Sequence, residues 1–64
     1  MPVISIAMHK VEDQVKTDLI RNLTASAVAT TGLAAQSFIV LINEMDDQNI
    51  GLGGKTLKEV KAAR

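Results

Sequence analysis

The amino-acid sequence predicts an α/β subunit (α+β by some schemes): a βαβ unit followed by a short C-terminal hairpin and helix, assembled as an oligomer. Three observations carry that expectation. Two β-rich apolar runs, at 2–8 and 37–43, flank a segment at 13–31 whose apolar residues recur every four positions. The chain has 64 residues, read as one domain over 1–64, and a chain of that size buries only about 60% of its unfolded surface. It has no cysteine, and His9 is its single histidine. Neither disulfides nor a zinc cluster of ordinary composition can therefore supplement a small core, which leaves oligomerisation.

Each element has its own signal. In the first run Ile4, Ile6 and Met8 fall on one face and Val3, Ser5 and Ala7 on the other. Both faces are apolar or small, which suits a strand covered on both sides. The period then changes. Val15, Leu19, Leu23 and Ala27 form a stripe that Ile20 and Val28 widen, an amphipathic helix. Glu12 and Asp13 complement the helix dipole at its start, and Gly32 is a natural stop. In the second strand Phe38, Val40 and Ile42 share one face and Ile39 and Leu41 the other. A polar loop is expected at 44–49, a glycine-rich hairpin at 50–54, and a short last helix opened by the capping-box spacing of Thr56 and Glu59. Strand, helix, strand implies parallel pairing through a right-handed crossover. One helix covers one face of a two-stranded sheet; the other face calls for a partner chain.

Composition excludes several classes. Hydrophobic residues make up 47% of the chain and the formal net charge is +0. Lysines are scattered, there is no basic run, and Phe38 is the only aromatic residue, so a nucleic-acid partner is not expected. No apolar stretch approaches the ~18 residues of a membrane span. The N-terminus lacks the basic start and apolar core of a signal peptide, so the expected location is cytoplasmic.

Most polar clusters have an ordinary explanation. Asn49-Ile50-Gly51-Leu52-Gly53-Gly54-Lys55-Thr56 is one residue short of a phosphate-binding loop, but too little chain remains for the full helix that motif needs. Packing of a glycine-rich turn against a neighbouring subunit explains it better. Glu44, Asp46 and Asp47 read as a solvated loop tip rather than metal ligands. Ser5, Ser26 and Ser37 have no histidine at useful spacing. His9, ending the first strand, is a surface residue or a pocket rim.

Pro2 permits something more specific. Initiator methionine is normally removed ahead of a small second residue, which would expose a secondary amine at the start of a strand. An α-amino group has a reference pKa near 8, and apolar surroundings lower it by disfavouring the charged form. Such an amine is a general base poised near neutral pH.

Pro2-Val3-Ile4-Ser5-Ile6, Leu19-Ile20-Arg21, Ser37 through Met45 and Ile50-Gly51-Leu52-Gly53-Gly54, in this order and spacing, resemble the 4-oxalocrotonate tautomerase family over nearly the whole chain. The resemblance implies a trimer of dimers, a hexamer, with active sites at subunit boundaries. It also implies a small-molecule enol substrate such as 2-hydroxymuconate. The N-terminal proline moves a proton between oxygen and carbon, without metal or organic cofactor. Cationic side chains hold the substrate carboxylates, and an aromatic side chain packs against the pocket.

The chain departs from that pattern at three places. The loop after the first strand is one residue shorter, leaving Lys10 and Val11 nearest the family's arginine. Ile39 stands where the second strand carries an arginine, and Ile50 where a phenylalanine precedes the glycine run. Arginine grips a carboxylate with a bidentate fork, lysine offers a compact charge and isoleucine none. The expected site is therefore Pro2 as base, Lys10 as cation, and Ile39 and Ile50 as apolar walls, suited to a monocarboxylate or less polar enol. Two alternatives stand beside it. One is a hydratase- or dehalogenase-like activity with protonated Pro2 as acid and Glu12 activating water. The other is a symmetric binding or scaffold oligomer without catalysis.

Overall fold

The computed structural model describes residues 1–63. The chain runs through strand Val3–His9 (β1), helix Asp13–Thr31 (α1), a 3-10 turn Ala35–Ser37, and strand Ile39–Met45 (β2). A second 3-10 turn Asp47–Asn49, two-residue strands Gly51–Leu52 (β3) and Lys55–Thr56 (β4), and helix Leu57–Ala62 (α2) complete it. β1 and β2 pair in parallel with Val3 opposite Ile39 and His9 opposite Met45. The βαβ unit expected from the change of hydrophobic period is present, and α1 has the expected bounds.

The helix ends as its sequence dictates. Gly32 adopts φ 76°, and its N–H donates to the Val28 carbonyl at 2.9 Å, closing the last turn. The second strand lies two residues later than its composition indicated. The N–H groups of Ser37 and Phe38 donate back to Ala34 and Ala35 at 2.9 and 3.1 Å, so the chain enters the ladder only at Ile39. At the other end β2 continues through Glu44 and Met45, which the sequence placed in a polar loop.

The glycine-rich run forms the expected hairpin, extended to Thr56: Gly51 pairs with Thr56 and Leu52 with Lys55. Gly53 and Gly54 make the two-residue turn at φ 63° and 84°, positive at both positions as this tight hairpin geometry requires. The near-match to a phosphate loop is thus spent on strand pairing. The capping box is formed: Thr56 Oγ1 accepts the Glu59 N–H at 3.1 Å, and Glu59 reaches back to the Thr56 N–H.

The sheet has two unlike faces. Ile4, Ile6, Met8, Val40, Ile42 and Glu44 are half-buried on the side that α1 covers. Val3, Ser5, Ala7, Ile39, Leu41 and Asn43 are exposed on the other. Val3 is 56% exposed and Leu41 48%. The helix stripe is likewise only partly used: Leu19, Leu23 and Ala27 are half-buried, while Val15 and Ile20 stay exposed. Ile20, Ala25, Val28, Ala29 and Ala35 line a shallow apolar groove on that flank.

Among the described residues no side chain is fully buried. The radius of gyration is 15.0 Å with extents of 44 × 23 × 15 Å, against about 11 Å for a self-contained chain of this length. The apolar surface that should drive folding is thus held at the outside of one chain, where only another chain can cover it. The expected outcome is a urea midpoint that rises with protein concentration, because association stabilises the native state by mass action. Leu41→Lys, on the open sheet face, should give a chain that is monomeric and unfolded. Light scattering of a well-folded monomer at micromolar concentration is the result that excludes this.

Candidate active site

The parallel ladder divides the candidate residues into two groups. Pro2 and Ile39 lie at its beginning: the Ile39 N–H donates to the Pro2 carbonyl at 3.0 Å, tying proline to the second strand. Proline suits this position because a strand's first residue need not donate to the ladder. Pro2 is half-buried, and Met1 ahead of it is 87% exposed. Ile39 sits on the open face beside Val3, its ladder partner.

Lys10 and Ile50 lie past the other end. Six residue steps separate Val3 from His9, which is about 20 Å at the usual rise of a strand. One chain therefore does not bring the candidate base Pro2 and the candidate cation Lys10 together. Ile50 is half-buried, and its carbonyl accepts the Leu57 N–H at 2.7 Å, joining the 3-10 turn to the start of α2.

The ammonium of Lys10 already has a partner. Its Nζ lies 2.8 Å from Asp46 Oδ1, with both side chains about two-thirds exposed. The hydrogen bond and charge of Asp46 raise the Lys10 pKa above its ordinary value, and Lys10 holds the Asp46 carboxyl below its own. Nearby, Lys61 pairs with Asp47 at 3.0 Å. Lys10, Lys58 and Lys61 with Asp46 and Asp47 edge one open cleft, three cations against two anions. Such exposed pairs are weak and exchangeable.

Glu44 departs from its expected role. Its side chain is only 24% exposed, and Oε1 accepts from Lys16 Nζ at 2.9 Å while Oε2 accepts the Val11 N–H at 2.9 Å. Lys16, then the Val11 N–H, hold its carboxyl below the usual range. The trio Glu44, Asp46 and Asp47 does not converge as a metal site: each carboxylate turns to a different lysine. His9 is half-buried opposite Met45, and its Nδ1 is buried without a hydrogen-bond partner among the described residues. Glu12 is exposed at the N-cap of α1, so the candidate water-activating acid sits beyond the far end of β1 from Pro2.

Sequence reasoning placed Asp46 and Glu44 in a solvated loop tip and missed their contacts with Lys10, Lys16 and Val11. The signal for Glu44 was its phase: it continues the alternation of Val40 and Ile42 onto the helix-covered face. Asp46 carried no comparable signal, since its pairing with Lys10 depends on the parallel register.

Comparison with known proteins agrees with this architecture. A family model described as tautomerase enzyme matches residues 2–60. No curated protein matches the chain. The solved structure of TomN, a 4-oxalocrotonate tautomerase homologue in the tomaymycin biosynthetic pathway, is 26% identical with a TM-score of 0.91 and 95% of each chain covered. DmpI from Helicobacter pylori is 27% identical with a TM-score of 0.83, covering 91% of this chain and 98% of its own. A heterohexamer 4-oxalocrotonate tautomerase from Chloroflexus aurantiacus, 24% identical, shares the fold at a TM-score of 0.88 over 94% of this chain and 98% of its own. With a family match over nearly its whole length and this subunit fold, the chain belongs to the tautomerase family, within its 4-oxalocrotonate tautomerase group.

Proposed function

We propose that the chain is a cofactor-independent keto–enol tautomerase whose base is the amine of Pro2, freed by removal of Met1. The observation that carries this reading is the place of Pro2 within a tautomerase subunit. It stands immediately before β1, and its carbonyl is fixed by the Ile39 N–H at 3.0 Å. In its neutral form the amine takes the proton from an enol oxygen, and its conjugate acid returns a proton to carbon, giving the conjugated ketone. No net proton is consumed, so one group serves as base and then as acid.

The rest of the site is assembled between chains in this reading. A homohexamer, a trimer of dimers, brings Lys10 and Ile50 of one subunit to Pro2 and Ile39 of others. The uncovered sheet face and the apolar groove on α1 are the surfaces such packing would use. The Chloroflexus protein is a heterohexamer, so mixed assembly is the outcome to watch for alongside self-association.

The substrate class is set by charge. Lys10 supplies one cation, shared with Asp46 at 2.8 Å, while Ile39 and Ile50 supply none. An unpaired carboxylate in an apolar pocket costs several kcal/mol. The fitting substrate is a monocarboxylate or less polar enol. The Lys10–Asp46 pair also favours a second reading, a binding or scaffold oligomer without catalysis, because it leaves little charge for polarising a carbonyl.

Two measurements separate these readings. The ketonisation rate of phenylenolpyruvate should depend on Met1 removal, verified by mass spectrometry, because retained Met1 makes the Pro2 nitrogen a tertiary amide without useful basicity. The processed form should lose activity as pH falls through the amine pKa, with the ascending limb below about pH 8, and Pro2→Ala should slow it by about tenfold or more. Equal rates from processed and unprocessed protein would remove Pro2 from the mechanism and leave the scaffold reading.

Substrate preference tests the pocket. A monocarboxylate enol should be turned over more efficiently than 2-hydroxymuconate. Lys10→Ala should raise KM about fivefold, the scale of a partly solvated charge contact. Efficient turnover of the dicarboxylate that is indifferent to Lys10 would place the binding cation elsewhere.

A further inference from the structure

The loop that carries Lys10 has little backbone structure of its own. β1 ends at His9 and α1 begins at Asp13. Of the three residues between them, Val11 donates its N–H to no carbonyl among the described residues. Its acceptor is instead the side chain of Glu44, 33 positions later. Glu44 stands on the helix-covered face of β2 opposite Met8, in a row otherwise made of Val40 and Ile42. A carboxylate set among apolar side chains is costly unless its oxygens are occupied. Both are: Oε2 by the Val11 N–H at 2.9 Å and Oε1 by Lys16 Nζ at 2.9 Å.

These two contacts do different things. Lys16 belongs to α1 and also meets Asp13 at 3.2 Å, so its ion pair joins helix to sheet and holds the Glu44 carboxyl below the usual range. The Val11 contact instead fixes backbone, one peptide unit beyond the Lys10 Cα. Asp46 touches only the tip of Lys10, with both side chains largely in water, and such a pair does not anchor a loop.

We infer that Glu44 is a positioning residue: its carboxylate pins the Val11 amide and thereby fixes where the β1–α1 loop presents the Lys10 ammonium to substrate. The inference rests on the reading of Lys10 as the substrate-binding cation. Glu44 touches no reacting atom and acts through the loop. Because the tether acts on the loop that carries the cation and not on the Pro2 nitrogen, its loss should weaken substrate binding rather than proton transfer.

The experiment uses the full assembled chain with Met1 removal verified, comparing Glu44→Ala, Glu44→Gln and Lys16→Met with the parent. Two readouts are taken: amide hydrogen exchange at Val11 against the ladder amides, and KM and kcat for phenylenolpyruvate. A charge-assisted hydrogen bond sets the expected scale for the amide, so Glu44→Ala should speed Val11 exchange about tenfold, and it should raise KM by up to about fivefold, no more than loss of Lys10 itself. The kcat should hold within about twofold of the parent, since Glu44 touches no reacting atom, and ladder exchange should change less than that of Val11, by no more than the partly exposed Lys16 pair is worth, about fivefold. Glu44→Gln keeps an oxygen for the Val11 N–H and should recover most of the KM, which also covers the case in which the alanine variant does not fold. Lys16→Met leaves the Val11 bond in place and should leave KM near the parent value. Val11 exchange that stays slow in Glu44→Ala overturns the tether, and a kcat loss matching the KM change overturns the positioning role. A parent protein without turnover would instead count against the tautomerase reading, with Val11 exchange still deciding the tether.

Discussion

The parallel ladder between Val3–His9 and Ile39–Met45 is the constraint on which the rest of the molecule depends. Parallel pairing requires a long crossover, and α1 supplies it. That helix lies on one side, so the ladder sorts side chains into a covered row and an open row by strict alternation. The open row leaves Val3, Ile39 and Leu41 exposed, with nothing over them among the described residues. A chain of this size cannot dispense with that area. The same alternation that makes the fold thus leaves it unfinished, and the extended 15.0 Å radius of gyration records this.

The ladder also fixes chemistry by keeping its ends apart. The residue just ahead of β1 is held by the one that opens β2, as Pro2 is by Ile39. The far ends of the two strands are held together in the same way, so Lys10 finds Asp46 and Val11 finds Glu44. The two ends differ in character. One offers a half-buried proline among aliphatic side chains; the other is a cluster of paired charges. A reaction needing both an amine in apolar surroundings and a cation for a carboxylate can be served only where ends from different chains meet.

Much of this was legible in the sequence, for identifiable reasons. Helix α1 was readable to its bounds because a four-residue stripe from Val15 to Ala27 is flanked by Glu12 and Asp13 at its start and by Gly32 past its end. The hairpin and capping box were readable because Gly53, Gly54, Thr56 and Glu59 each have one strong local preference. The limits of β2 were not, since its start depends on a 3-10 turn that takes up the Ser37 and Phe38 donors. Its end was hidden because Glu44 looks like a loop residue until the register places it against Val11 and Lys16. Of the candidate site, Pro2 was visible from position and chemistry. The partners of Lys10 were not, since a contact between residues 36 apart in sequence arises from register rather than from either residue's type.

Proline at the head of β1 also separates what the fold requires from what the chemistry requires. The ladder asks nothing of the Pro2 nitrogen: a first-strand residue can lack an N–H without leaving an acceptor unmet, and the bond that fixes Pro2 uses its carbonyl. Strand, register and packing are therefore compatible with either state of that nitrogen, acylated by Met1 or free. One peptide bond outside the folded unit decides whether that nitrogen is an amide or an amine, while apolar surroundings would tune the pKa only of the free amine. The fold is therefore indifferent to the state of that nitrogen, in contrast to Glu44, whose carboxylate is bound into the helix–sheet packing through Lys16 and into the Lys10 loop through Val11.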